Sequence, residues 1–169
     1  RYDGYARWTV EDGAITGRQG PERQGGLLYT EQRYGDFELE LDLYIDWPFD
    51  SGIFLRMLPP DSGLKGMQVT VDHREGGECG GLYADGWVEH CPEGWDSFRK
   101  DDWNRFRVVC QGQPMRVQAW VNGEALVDRT ETLVDVAEAL ERTRVGHALA
   151  LADLARLRHR MLAELGVQP

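Results

Sequence analysis

Between Phe37 and Asp46 the chain alternates residue by residue: Phe37, Leu39, Leu41, Leu43 and Ile45 interleave with Glu38, Glu40, Asp42, Tyr44 and Asp46. A period of two puts the first set on one face of a strand and the second on the other, so one face meets a core and one meets water or ligand. Alternation this clean belongs to antiparallel sheets, because parallel strands are buried on both faces. Further strands are expected over residues 25–30, 52–58, 67–72, 81–83, 104–110 and 116–121. Asn122-Gly123, followed by Glu124-Ala125-Leu126-Val127-Asp128, gives a hairpin signal, since both central residues of the turn need positive φ. Pro59-Pro60-Asp61-Ser62-Gly63, Arg74-Glu75-Gly76-Gly77 and Pro92-Glu93-Gly94 read as turns. Many short strands between such turns predict an all-β fold, a two-sheet antiparallel β-sandwich or jelly roll.

At 169 residues the chain is the size of one domain, and 41% hydrophobic residues are enough for a sizeable core. A single domain over 1–169 is expected. Nineteen Lys and Arg stand against 29 Asp and Glu, a formal charge of −10 that repels phosphate backbones and anionic lipid. That excludes nucleic acid as a partner, and no stretch of 18 apolar residues offers a membrane span. The chain opens on Arg1-Tyr2-Asp3 with neither an initiator Met nor a signal-peptide core, as a processed or excised form would. Cys79, Cys91 and Cys110 fit no zinc spacing and no disulfide scaffold. Cys79 and Cys91 could close a loop in an exported protein, and Cys110 reads as a buried strand thiol. Asp101-Asp102 lacks calcium-loop spacing and Gly76-Gly77 precedes no helix, so neither a metal nor a cofactor is expected.

Glu38, Glu40 and Asp42 share a strand face at about 6.6–6.8 Å intervals, within the carboxylate separations of glycosidases. The polar outside of a sheet explains them as well, and that explanation is adopted here. Arg56, after Ser51-Gly52-Ile53-Phe54-Leu55, carries a fork of donors suited to vicinal sugar hydroxyls, to a ketone oxygen or to a structural ion pair. Gln68, Thr70 and Asp72 alternate with Met67, Val69 and Val71 and so line an open face, with His73 next in line for proton transfer. Six Trp and Tyr83 supply aromatic surface for the C–H faces of sugar rings. Trp103 reads as a structural anchor, and Trp120, sharing a face with Gln118, as a ligand contact. His147 and His159 read as ordinary hydrogen-bonded histidines.

Taken in order, Tyr34-Gly35-Asp36-Phe37-Glu38-Leu39, Ser51-Gly52-Ile53-Phe54-Leu55-Arg56, Gly81-Leu82-Tyr83, Trp103-Asn104-Arg105 and Trp120-Val121-Asn122-Gly123 resemble the 3-keto-disaccharide hydrolase domain family. The resemblance runs over residues 8–165. It implies a concanavalin A-like jelly roll with a concave carbohydrate-binding face, usually in exported or envelope bacterial proteins, hence a periplasmic or extracellular location. Residues 132–142 and 148–165 are rich in helix formers. Yet Leu151-Ala152-Asp153 and Arg158-His159-Arg160-Met161-Leu162-Ala163-Glu164-Leu165 resemble the family's closing strands, so residues 146–165 are expected to be strands. Met67-Gln68-Val69, Ala119 and Leu154-Ala155 depart from the family pattern, which tends to have a Glu, a His and a His-Gly there.

The function implied is hydrolysis of the glycosidic bond of a 3-keto-glycoside or related disaccharide. Asp72 or His73 would be the base, Arg56 the partner of the developing enolate, and Gln68, Tyr83, Gln118 and Trp120 the groups that position the sugar. The expected partner is thus a small carbohydrate; nothing in the sequence speaks to oligomeric state. A noncatalytic carbohydrate-binding sandwich is the alternative, ahead of a glucanase using Glu38 and Glu40.

Overall fold

The computed structural model describes residues 2–48, 50–57, 66–84, 86–131, 148–150 and 154–155. In chain order the strands are β1 (Tyr2–Gly4), β2 (Arg7–Glu11), β3 (Ala14–Arg18), β4 (Gly26–Tyr29), β5 (Phe37–Leu43), β6 (Asp50–Leu55) and β7 (Met67–Asp72). They continue with β8 (Cys79–Tyr83), β9 (Trp87–Glu89), β10 (Asn104–Gln111), β11 (Met115–Val121), β12 (Glu124–Glu131), β13 (Ala148–Ala150) and β14 (Leu154–Ala155). One 3-10 segment, Pro92–Ser97, interrupts them, and no α-helix occurs among the described residues. Accordingly, none of the described residues forms a helix long and apolar enough to cross a membrane.

The strands form two antiparallel sheets. Their orders are β1-β4-β13-β6-β7-β8-β9 and β12-β11-β10-β5-β14-β3-β2, called here the first and second sheets. Alternation decides which side chains meet between them. Ile53, Leu55, Met67, Val69, Val71 and Leu82 come from the first sheet, and Leu41, Leu43, Phe106, Val108, Val117, Ala119 and Val121 from the second. Burying each of the larger of these side chains stabilises the fold by about 1.5–3 kcal/mol. The expected all-β antiparallel sandwich is therefore the fold that forms. β5 stops at Leu43 rather than running on to Asp46, because its partner β10 begins at Asn104, opposite Leu43.

The Asn122-Gly123 turn forms as its composition requires, with φ of 51° and 93°. A second turn of the same kind, Asp12 (φ 49°) and Gly13 (φ 77°), joins β2 to β3. β13 lies between β4 and β6, and β14 lies between β5 and β3 in the other sheet. His147, His159 and the segment 158–165 fall outside the described residues.

Candidate functional site

Since Met67, Val69 and Val71 fill the core, Gln68, Thr70 and Asp72 face outward from β7. Gly52 pairs with Thr70, Phe54 with Gln68, and Gln68 with Tyr83, so these residues share one outer face. Its floor is bare backbone. A Cβ on Gly81 would stand 2.6 Å from the Trp87 ring and 2.7 Å from Glu78 Oε2, and one on Gly52 would run into the Gln68 amide. The polar side chains lie close to this floor: Gln68 Nε2 donates to the Ser51 carbonyl at 3.2 Å and Thr70 Oγ1 to the Gly81 carbonyl at 3.1 Å. Beside it stand Tyr83 and Trp87, 39% and 38% exposed, edge to face with ring centres 5.6 Å apart. Large exposed rings on a polar sheet face suit a ligand with one apolar surface and several hydroxyls.

The β8–β9 hairpin also brings its two flanks together. Glu78 Oε1 lies 2.7 Å from His90 Nδ1, while Oε2 accepts the Cys91 N–H at 2.6 Å. The Trp87 ring packs over the imidazole at 4.8 Å. Sequence reasoning did not single out Glu78 or His90. The signal was their symmetric placement just outside two strands that pair as a hairpin, which is legible only once β9 is recognised.

At the other end of β7, Asp72 accepts hydrogen bonds from the Arg74 backbone N–H (3.0 Å), Nε (2.8 Å) and Nη2 (2.8 Å). Arg74 reaches Asp50 as well, at 2.8 Å. The Arg74 hydrogen bonds hold the Asp72 carboxyl below its ordinary range, which makes it a weak base, whereas burial and the nearby Asp72 charge push Asp50 up. His73 is only 8% exposed. It stacks on Trp47 at 4.1 Å, with Trp95 at 4.7 Å and Phe98 at 5.4 Å around it. Burial lowers its pKa, opposed in part by the Asp46 backbone and the Asp72 charge. Among the described residues neither ring nitrogen has a hydrogen-bond partner of good geometry.

Arg56 lies elsewhere. Just past β6 the backbone turns left-handed (φ 47°) and the residue is 4% exposed. Its Nε donates to the Gly35 carbonyl (3.0 Å), Nη1 to the Gly112 carbonyl (2.8 Å) and Nη2 to Asp36 Oδ1 (2.7 Å). The guanidinium thus ties the loop before β5 and the β10–β11 turn to the end of β6, in the structural ion pair that was one of its readings. Nor are Gln118 and Trp120 on the face that carries Gln68 and Tyr83. They point outward from β11, which belongs to the second sheet, on the far side of the core. There Gln118 Nε2 donates to Asp128 at 3.0 Å and the Arg107 guanidinium covers Trp120 at 4.4 Å. The seven residues expected at one site therefore separate: Gln68, Asp72 and Tyr83 share the first sheet's outer face with His73 buried beside it, and the other three do not join them.

The Glu38, Glu40 and Asp42 face behaves as a polar exterior, with Glu38 on Arg107 and Glu40 on Arg105, each at 2.5 Å. A groove of about 680 Å³ opens on this second sheet, lined in part by Tyr44, Trp103, Arg105 and Asp42. Its arginines Arg18 and Arg105 are taken up by their own neighbours, Glu11 at 2.6 Å and Glu40, so the first sheet's face is the better candidate. Trp103 is an exposed wall rather than an anchor, tilted against Tyr44 at 5.2 Å. Anchoring falls to the fully buried Asn104, which donates to the Arg99 and Asp102 carbonyls and accepts the Arg99 N–H. All three cysteines are buried free thiols, their pKa raised chiefly by burial. No group of three or more His, Cys, Asp or Glu able to hold a metal occurs among the described residues.

The family profile of the 3-keto-alpha-glucoside-1,2-lyase-like domain matches residues 1–152. Two structures from Parabacteroides distasonis, each provisionally described as a glycosyl hydrolase, superpose with TM-scores of 0.57 and 0.56 at 18% and 20% identity. The first covers 77% of this chain and 72% of its own, the second 88% and 77%. A lectin from Bauhinia forficata, solved in complex with GalNAc, superposes with a TM-score of 0.59 at 11% identity, over 92% of this chain and 85% of the lectin. At these identities the likeness is one of fold: a concanavalin A-like sandwich. No curated protein matches the sequence.

Proposed function

The chain belongs to the 3-keto-alpha-glucoside-1,2-lyase-like domain family, and from that premise we propose that it cleaves the glycosidic bond of a 3-keto-glycoside on the outer face of β6–β9. The observation that carries this reading is the exposed Tyr83–Trp87 pair beside a glycine-floored strand surface. A hexose has an apolar C–H face for the two rings. Its hydroxyls suit the Gln68 amide and the Asp72–Arg74–Asp50 cluster.

A carbonyl at C3 acidifies the proton on C2. A base removes that proton, and the C–H electron pair moves toward C3 and its oxygen as an enolate. Collapse of the enolate forms C1=C2 and breaks the bond from C1 to the aglycone oxygen, which takes a proton. Water then adds its oxygen to C1, and a proton returns to C2. The sum is hydrolysis without a protein nucleophile.

Purified protein should be offered 3-keto-disaccharides beside their unoxidised parents, with and without EDTA. Release of the keto-monosaccharide from the oxidised substrates alone is expected, and EDTA sensitivity would add a metal requirement. If every substrate returns intact while saccharides still perturb tryptophan fluorescence, the face is a noncatalytic carbohydrate-binding surface.

A further inference from the structure

We infer that Glu78 and His90 form the proton-transfer dyad of this face, an assignment that rests on the keto-glycoside reading. A carboxylate can only accept, so the 2.7 Å contact places the proton on His90 Nδ1. The neutral ring then keeps its lone pair on Nε2, the nitrogen turned away from Glu78. Three further observations fit a working base rather than a surface ion pair. Glu78 is largely sequestered while His90 is open to solvent, so the orienting group is fixed and the reactive group is accessible. The second Glu78 oxygen is pinned by the Cys91 N–H, which holds the carboxylate in one orientation. Finally, the imidazole packs against Trp87, the ring that also meets Tyr83, so base and sugar platform are contiguous.

The groups with stronger claims from sequence position alone are engaged elsewhere. Asp72 is held ionised by Arg74, and His73 lies beneath Trp47 and Trp95. His90 Nε2 would take the C2 proton, and the resulting imidazolium would donate it to the departing aglycone oxygen. The ring would next accept a proton from the water adding to C1 and return one to C2. Glu78 is a positioning residue: it fixes the tautomer and stabilises the imidazolium.

The test separates proton removal from bond cleavage. In D2O, deuterium entry at C2 of a methyl 3-keto-α-glucoside is followed by NMR, beside cleavage of a 3-keto-disaccharide. The native protein should accelerate exchange, and His90→Gln should lose it by about 100-fold or more. Glu78→Gln, which keeps the Cys91 contact but not the charge, should slow exchange and lower kcat for cleavage at unchanged KM and unchanged thermal stability. Exchange without cleavage would uphold the dyad and overturn the hydrolase reading. Undiminished exchange and cleavage in His90→Gln would overturn the dyad and leave that reading standing. If the native protein neither exchanges nor cleaves, both fall.

Discussion

His73 combines burial, aromatic stacking on Trp47 and a lowered pKa, and this combination makes stability depend on pH in a calculable direction. Its folded pKa lies below the ordinary 6.5, so as pH falls the unfolded chain binds the proton first. Stability is therefore full above the unfolded value and declines as pH drops through about 6.5 toward the lower folded value. Asp72, held below its ordinary range by the Arg74 hydrogen bonds, titrates below this window. Urea denaturation at pH 7.5 and 5.5 should show the native protein losing stability and His73→Phe losing less; equal slopes would assign the proton elsewhere. Sequence position made His73 and Arg56 look functional because alternation describes side chains only while a strand lasts. Both residues sit one step beyond a strand end, β7 for His73 and β6 for Arg56, where the chain turns. Had β6 run on through Arg56, alternation would have turned it outward with Gly52 and Phe54; the left-handed turn sends it inward onto Asp36 and two carbonyls.

Among the elements, the β11–β12 hairpin shows how a turn can carry more than its own geometry. Asn122 and Gly123 both hold positive φ, but only Asn122 also has a side chain at work. Its Oδ1 accepts the Arg105 N–H at 3.0 Å, and its Nδ2 donates to the Ser97 carbonyl at 2.8 Å and to Asn104 Oδ1 at 2.9 Å. Gly123→Ala should cost about 1 kcal/mol, the strain of a Cβ at positive φ. Asn122→Ala adds the lost hydrogen bonds and should cost about 2–3 kcal/mol. Equal losses in chemical denaturation would mean that turn geometry alone matters. This hairpin was legible because a strong dipeptide sits between two strongly patterned strands. Asp12-Gly13 is as good a dipeptide, yet β2 and β3 were missed. Few of their residues meet the core, Ile15 and part of Trp8, and the pattern is broken by Gly17, which makes room for the Trp8 ring. β9 has three residues, too few for periodicity to register.

At the scale of the whole molecule, local pattern assigns two faces to every strand but does not say which sheet the strand joins. That choice is made by pairing between distant segments, such as β13 inserting between β4 and β6. Gln118 and Trp120 were grouped with Gln68 and Tyr83 on chemistry, and the core lies between them. The division gives the two outer faces different work. The second sheet's exterior carries reciprocal ion pairs between Glu38 and Arg107, Glu40 and Arg105, and Arg116 and Asp128. Exposed pairs of this kind contribute little to stability and are screened by salt. Neutralising Glu38 and Glu40 together with Gln should therefore leave both folding and keto-glycoside turnover near native. On the first sheet, Trp87→Ala removes a sugar platform while sparing the core, and should lower kcat/KM about 10–100-fold, mainly through KM. Steady-state kinetics on the two variants compares the faces directly. A large loss in the Glu38→Gln, Glu40→Gln protein with native behaviour in Trp87→Ala would move the active surface to the second sheet.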